Sequence, residues 1–166
     1  MISKKVILTG SFGVGKTSLF RRFLTGQFND KYLTNVGAKI GKKEVQVEEQ
    51  KIALLIWDIA GEITQDKVPA SYFLGASGVV YVMDMNRPTT FAHLEDDIKF
   101  LKNILPYGVF KIVANKRDLV SDERAKELLD ALPLPCDFVT SAKTGDNVEI
   151  LFQEMAVNLL ENHHPG

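Results

Sequence analysis

A lysine follows closely spaced glycines near the start of the chain, in the stretch TGSFGVGKTS at residues 9–18. The stretch fits the pattern GxxxxGK[ST] of a phosphate-binding loop, and it lies between an apolar run and a helical pattern, as that loop requires. Glycines let the backbone curl so that successive N–H groups face phosphate oxygens, helped by the positive end of the next helix. Lys16 would then reach the outer phosphates. The residues predicted to form this cradle are Gly13, Val14, Gly15, Lys16, Thr17 and Ser18.

The hydroxyl of Thr17 is a candidate magnesium ligand, because Mg²⁺ takes oxygen ligands from protein and phosphates and keeps several waters. A glycine-rich turn with a solvated lysine is the alternative to a phosphate site. The position between a strand and a helix argues against that alternative. The loop by itself does not distinguish ATP from GTP.

The loop has to be held by a sheet, and the rest of the sequence predicts one. Short apolar runs typical of buried strands occupy residues 4–10, 52–58, 78–84, 109–115 and 136–141. Helical spacing of apolar residues occurs between them, at 19–24, 91–105 and 148–159. Residues 42–50 alternate between valine and polar residues, which predicts an edge strand antiparallel to 52–58. We expect a single three-layer α/β domain over residues 1–166, with a mainly parallel sheet of about six strands and one antiparallel edge strand.

Polar residues follow the last two predicted buried strands. NKRD occupies residues 115–118 and SAK occupies residues 141–143. Both therefore lie at the carboxyl ends of strands, where ligands of parallel sheets bind. Together with the phosphate-binding loop, this order and spacing resemble the Ras superfamily of small GTPases, and residues 3–162 look most like the Rab branch. The resemblance implies a P-loop G domain that binds GTP or GDP with Mg²⁺.

The carboxylate at position 118 gives a chemical reason to expect guanine. Asp118 can accept hydrogen bonds from both the ring N–H and the exocyclic amine of guanine, whereas adenine presents a lone pair there. A buried carboxylate that faced adenine would lose its partners, and sites of this kind reject the wrong ligand by about 10⁴-fold. By resemblance, the other residues expected around the base and ribose are Phe28, Asn115, Lys116, Ser141, Ala142 and Lys143.

WDIAGE at residues 57–62 is similar to the Rab segment WDTAGQ. The resemblance implies that Asp58 holds Mg²⁺ through water and that the Gly61 N–H meets the γ-phosphate. It also implies a switch, in which segments 32–40 and 60–74 are ordered by the γ-phosphate and released without it. Effector and exchange-factor proteins would recognise these two segments.

Three residues depart from the family pattern around the γ-phosphate. Phe12 replaces a small residue and is expected to project toward the space of an arginine finger, unless it packs on a switch segment. Glu62 replaces the water-orienting glutamine. At roughly 5 Å and an effective dielectric near 20, its charge would oppose the transition state by up to about 3 kcal/mol, or about a hundredfold in rate. The alternatives for Glu62 are that it acts as a base or turns into solvent.

The third departure is Asn35, which stands where the family has a Mg²⁺-binding threonine, while Thr34 lies one residue early. An amide oxygen can ligate Mg²⁺ but lies one bond further from the backbone. Either the loop shifts, or the first switch segment couples weakly to the γ-phosphate. We therefore expect a smaller preference for GTP over GDP than in the family.

Composition excludes some classes of partner and compartment. A formal net charge of −1 gives no field for drawing in nucleic acid, and the lone cysteine, Cys136, excludes a disulfide framework. The sequence shows no signal peptide, no long apolar span and no lipid-anchor signal. We therefore expect a cytoplasmic protein, and a monomer.

The sequence leaves more than one function open. The first is a GTP-dependent switch, a weak GTPase in which Glu62 slows hydrolysis. The second is a non-hydrolysing GTP-binding interaction module that presents one surface constantly. An ATP-dependent P-loop enzyme is a third interpretation, which is weakened by Asp118 and by the lack of a recognisable acceptor-substrate site.

Overall fold

The computed structural model describes residues 1–24, 33–35, 38–62 and 64–162. The strands are β1 (Ile2–Gly10), β2 (Leu33–Asn35), β3 (Ala38–Val47), β4 (Gln50–Ile59), β5 (Ala76–Asp84), β6 (Val109–Asn115) and β7 (Phe138–Val139). The α-helices are α1 (Lys16–Leu24), α2 (Leu94–Ile104), α3 (Asp122–Asp130) and α4 (Val148–Glu161). Over these ranges, none of the helices is both long enough and apolar enough to cross a membrane.

The strands form one sheet in the order β2-β3-β4-β1-β5-β6-β7. Strand β3 runs antiparallel to both of its neighbours, and the other pairings are parallel. This arrangement confirms the predicted three-layer α/β class with a mainly parallel sheet. The short β2 is a strand that the sequence did not predict. It pairs with the first three residues of β3, from Ala38 to Ile40, and among the described residues no strand pairs with the rest of β3 on that side.

Alternate residues of the central strands point to opposite faces of the sheet, and both faces are covered by helices. Val6 and Leu8 of β1 belong to the cluster formed with α1 and α4, where the rings of Phe23 and Phe152 stack with centroids 4.1 Å apart. Ile7 belongs to the opposite cluster, which contains the buried residues of α2. Burial on both faces explains why the central strands are continuous apolar runs.

The predicted strand at 136–141 is shorter in the structure, where β7 contains only Phe138 and Val139. Two prolines precede it in the stretch LPLPCD at residues 132–137, and proline has no N–H for a strand ladder. Hydrogen bonds to β6 nevertheless continue on both sides, from the Asp137 N–H to the Ile112 carbonyl and from the Thr140 N–H to the Ala114 carbonyl, each at 2.8 Å.

Helix α3 was not predicted from the sequence. It buries only Ala125 and Leu128, so its apolar periodicity is faint. Its start is nevertheless well formed, because the Ser121 hydroxyl accepts a hydrogen bond from the Arg124 N–H at 3.1 Å. A serine in this position before acidic residues is a helix-start signal that could have identified it.

The carboxyl ends of the parallel strands meet at one edge of the sheet, and the predicted site residues lie there. Strand β1 ends at Gly10, directly before the glycine-rich loop, and helix α1 begins at Lys16. Asp58 is the penultimate residue of β4, and Asn115 is the last residue of β6. The topology therefore places the motifs that the sequence separates by about 40 to 100 residues around one cleft.

Candidate nucleotide-binding site

A cleft of about 590 Å³ opens at this edge of the sheet. The predicted site residues that line it are Gly13, Gly15, Lys16, Thr17, Ser18, Asp58, Gly61 and Lys116. The loop from 10 to 15 forms one wall and the end of β4 forms another. The structure thus brings these residues of the prediction into one space, whereas the predicted Val14 and Glu62 do not line it.

The glycine-rich loop is held against the NKRD turn by a close approach that only glycine permits. Gly15 has a φ of +99°, and a Cβ added there would lie 2.3 Å from the Asn115 amide nitrogen. That amide donates to the Val14 carbonyl at 3.1 Å, while its oxygen accepts from the Thr140 hydroxyl at 2.9 Å. Asn115 therefore ties the loop to the β6 and β7 ends of the sheet before any ligand is considered.

Lys16 is buried at the bottom of the loop. Its ammonium donates to the Gly10 carbonyl at 3.2 Å and to the Ser11 carbonyl at 2.9 Å. Burial lowers the pKa of Lys16 to about 8, an effect that Asp58 opposes and Arg87 strengthens. Its described hydrogen bonds go to neutral carbonyls, so the buried charge is available to an anion such as phosphate.

Thr17 and Asp58 form a pair of oxygen donors in the same cleft. The Thr17 hydroxyl donates to the Asp58 carboxylate at 2.7 Å. Burial raises the pKa of Asp58, although the hydrogen bond from Thr17 and the charges of nearby cations partly offset this. A hydroxyl and a carboxylate are the hard oxygen ligands that Mg²⁺ takes, so these residues fit the ion. Asn35 ends β2 opposite Ala38, and its side chain is outside the described part of the structure.

The residues predicted to recognise the base form a second cluster, which adjoins the cleft through residues 115 and 116. The Ser141 hydroxyl donates to the Asp118 carboxylate at 2.7 Å, and the Ala142 N–H donates to the Asn115 side-chain oxygen at 3.2 Å. Asp118 is exposed, where the sequence argument expected a buried carboxylate, because it lies in a 3₁₀ turn at the rim of the sheet. Lys143 is also exposed, and Phe28 lies outside the described residues.

The segment after β4 lies directly against the phosphate loop. The Glu62 N–H donates to the Gly10 carbonyl at 3.3 Å, and a Cβ added to Gly61 would lie 2.4 Å from the Phe12 Cα. Only glycine fits at this contact. The Phe12 side chain is 80% exposed and Phe12 lines the cleft, so of the two expectations for Phe12 the structure favours projection from the loop over packing on residues 60–62.

The described structure adds residues to the site that the sequence analysis did not name individually. Ala38 and Lys39 line the cleft from the start of β3. Asp84 ends β5 on the same edge, and Arg87 contacts the carbonyl of Phe12. The position of Asp84 at the carboxyl end of a predicted strand could have identified it. Ala38 and Lys39 fall within the predicted first switch segment, 32–40, whereas no local pattern marks Arg87.

Comparison with known proteins identifies the family. The family model described as the Ras family matches residues 5–161. The chain belongs to the Ras family. It is 34% identical over 166 aligned positions to the Ras-related protein Rab7 of Drosophila melanogaster. The aligned region covers 95% of this chain and 80% of the relative. It is 30% identical over 161 positions to the Ras-related protein Rab-13 of Canis lupus familiaris. That aligned region covers 94% of this chain and 79% of the relative.

A further Rab-13, from Bos taurus, is 32% identical over 161 positions, with 94% of this chain and 79% of the relative covered. These comparisons confirm the resemblance to the Ras superfamily and to its Rab branch. As a member of this family the chain is a small GTPase of the GTP-binding, signalling class.

Proposed function

We propose that this chain is a guanine-nucleotide switch that binds GTP and GDP with Mg²⁺ and hydrolyses GTP slowly. The observation that carries the proposal is the direct attachment of the base cluster to the phosphate loop, through the Asn115 amide on the Val14 carbonyl and the Lys116 ammonium on the Gly13 carbonyl. A ligand that fills both ends must have a base and a phosphate chain at a set separation, which describes a nucleotide.

The roles of the phosphate end follow from its chemistry. The N–H groups of the loop and the Lys16 ammonium would bind phosphate oxygens, with Ser18 beside them at the cleft surface. Thr17, and Asp58 through water, would hold Mg²⁺, which would lower the charge of the phosphates. Gly61 would offer its N–H to the outermost phosphate. Asn35 is the proposed ligand from the first switch segment.

The roles proposed for the residues around the base follow from the hydrogen-bond donors and acceptors of guanine. Asp118 would accept from the two N–H groups on one edge of guanine, with Ser141 holding the carboxylate in place. The Ala142 N–H would meet the guanine carbonyl. Phe28, Lys116 and Lys143 are proposed to pack around the base and ribose.

Slow hydrolysis is proposed from the residue at position 62. Glu62 is partly buried, and its backbone is hydrogen-bonded to the loop, so its position in the chain keeps a carboxylate near the reacting phosphate. A negative charge there opposes the charge that grows in the transition state. Effector and exchange-factor proteins are proposed to contact segments 32–40 and 60–74.

A second candidate function, the non-hydrolysing interaction module, is favoured by one observation. Gln65, in the middle of the second switch segment, is 1% exposed and its side chain accepts a hydrogen bond from the Thr9 hydroxyl at 2.7 Å. Its N–H donates to the buried Asp97 at 2.9 Å. A segment tied down in this way would present the same surface with either nucleotide.

Chromatography of the nucleotide released from the purified chain separates these functions. We expect guanine nucleotide and no adenine nucleotide, and slow conversion of GTP to GDP after incubation with GTP and Mg²⁺. Lys16→Ala should abolish nucleotide recovery, whereas Lys126→Ala, a matched change on the exposed face of α3, should leave it unchanged. GTP that persists unchanged would establish the interaction module, and recovery of adenine nucleotide would refute both.

A further inference from the structure

A buried carboxylate beside the phosphate loop holds two cations. Asp84 is the last residue of β5 and its side chain is 1% exposed. The Arg87 Nε lies 3.1 Å from its Oδ2, and the Lys116 Nζ lies 3.0 Å from the same oxygen. Its other oxygen accepts from the Asn86 N–H at 2.8 Å. Both oxygens of the Asp84 carboxylate therefore have partners, and the buried carboxylate holds the two cations in place.

Both cations also donate to consecutive carbonyls of the phosphate loop. The Lys116 ammonium donates to the Gly13 carbonyl at 2.8 Å. The Arg87 guanidinium donates through Nη2 to the Phe12 carbonyl, and a Cβ added to Gly13 would lie 3.3 Å from that nitrogen. The loop is therefore held from outside at two adjacent peptide groups.

Holding these carbonyls also fixes the N–H groups that would face a ligand. The C=O and N–H of a planar trans peptide point in opposite directions. The cation on the Phe12 carbonyl therefore orients the Gly13 N–H, and the cation on the Gly13 carbonyl orients the Val14 N–H, both away from the cations. Consecutive N–H groups oriented together are an anion site, and the value of such a site depends on its being formed before the ligand arrives.

We propose that Arg87 is a positioning residue of the nucleotide site: through Asp84 and alongside Lys116, it holds the Phe12–Gly13 peptide in its phosphate-binding orientation and so slows release of the phosphates. This inference rests on the proposed function. An arginine suits the role because its planar fork carries several donors, so one nitrogen bonds Asp84 while another reaches the loop. A lysine at position 87 would have to reach both positions with one nitrogen, as Lys116 does from its own side, whereas the guanidinium uses a separate nitrogen for each.

The contact differs from an ordinary surface ion pair. The Arg87 side chain is 44% exposed, but the carboxylate that anchors it is almost completely buried. Exposed pairs contribute little because both partners are solvated and mobile. Here the Asp84 carboxylate is held in place by its own hydrogen bonds. Replacing Arg87 removes the partly exposed guanidinium and leaves that buried carboxylate in the core.

The test measures release of a fluorescent GDP derivative from the full chain with Mg²⁺, in the presence of excess unlabelled GDP. We expect Arg87→Ala to speed release about tenfold or more, as for loss of a hydrogen bond to a charged group, and Arg87→Lys to recover only part of the effect. Arg124→Ala removes a comparable arginine, whose partner on α3 is Glu127, and should leave the rate unchanged.

Competition with GMP and GDP distinguishes positioning from a general structural role. If Arg87 acts through the phosphate loop, its replacement should weaken the binding of GDP more than the binding of GMP. A general loss of structure should weaken the binding of both nucleotides equally. Equal weakening, or release from Arg87→Ala at the parental rate, would overturn the inference. If Arg87→Ala does not fold, Arg87→Gln decides by the same two measurements. If the parental chain itself takes up no GDP, the proposed function fails and this inference fails with it.

Discussion

Replacing Tyr81 by phenylalanine removes one hydroxyl from a buried polar network behind the second switch segment. The Tyr81 hydroxyl donates to one oxygen of the Asp97 carboxylate at 2.6 Å, and the Gln65 N–H donates to the other at 2.9 Å. Tyr81 is 2% exposed and Asp97 is 4% exposed. Water therefore cannot replace the lost donor without opening the structure.

The expected loss follows from the charge of the acceptor. A hydrogen bond to a charged group contributes about 1.5–3 kcal/mol, and its removal leaves a buried oxygen unpaired. We expect Tyr81→Phe to lower the free energy of unfolding by about 2 kcal/mol, which is about a thirtyfold change in the unfolding equilibrium. The backbone N–H of Gln65 should also exchange its hydrogen faster, because the Asp97 carboxylate that accepts its hydrogen bond is less firmly held.

The loss should depend on pH in a defined direction. Burial raises the pKa of Asp97, while the hydrogen bonds from Tyr81 and Gln65 lower it in part. A carboxyl group with a raised folded pKa destabilises the fold as pH rises from its unfolded pKa through its folded pKa. Removing the Tyr81 donor raises the folded pKa further, so the fall in stability extends to higher pH. The difference between variant and parent should therefore be larger at pH 8 than at pH 5.

Urea unfolding at the two pH values measures this difference, and amide hydrogen exchange reports on Gln65. Tyr107→Phe is the matched control, because that side chain is 58% exposed and the same hydroxyl is removed there. The reasoning is refuted if Tyr81→Phe costs no more than Tyr107→Phe, or if its cost is larger at the acidic pH.

Three other changes test the chemistry of single side chains. Glu62→Gln should raise the single-turnover rate of GTP cleavage by up to about a hundredfold, and an unchanged rate would show that the carboxylate does not repel the transition state. Asp118→Asn should weaken GDP binding by about a hundredfold or more, since two hydrogen bonds to a charged acceptor are affected, whereas Asp130→Asn on the exposed end of α3 should have no effect in the same titration. Burial raises the pKa of the Cys136 thiol to about 11, so its alkylation at neutral pH should be about a hundredfold slower than that of free cysteine and should accelerate up to that pH; alkylation as fast as that of the free amino acid would contradict the burial argument.

The parts of the site that the sequence predicted share one property, which is that each motif is local. The loop from 10 to 17 and the NKRD turn have their chemistry in adjacent residues, and the rule that ligands bind at strand carboxyl ends brings them together. The fold class was predictable for the same reason, because each central strand is a continuous apolar run. The exact ends of strands were less predictable, as the two-residue β7 shows.

Arg87 and Asp97, which the sequence analysis missed, have partners far away in the chain. Arg87 contacts a carbonyl 75 positions earlier, and Asp97 contacts an amide 32 positions earlier. Neither contact leaves a periodic or spaced pattern in the residues around it. A charged residue on a helix such as α2 is usually solvated, and only the structure shows that Asp97 faces inward onto Tyr81 and Gln65.

The described contacts of the second switch segment differ in chemistry along its length. At its start, Gly61 and Glu62 rest on the phosphate loop, where a γ-phosphate would compete directly for their contacts. Further on, Gln65 is held by buried polar groups, and Val68 and Phe73 are buried in the core, none of them in contact with the cleft. A ligand shifts an equilibrium only through contacts that differ between the two states. We therefore expect the nucleotide to move residues 60–62 while residues 65–73 keep one surface, so that a partner must reach the cleft edge to distinguish GTP from GDP.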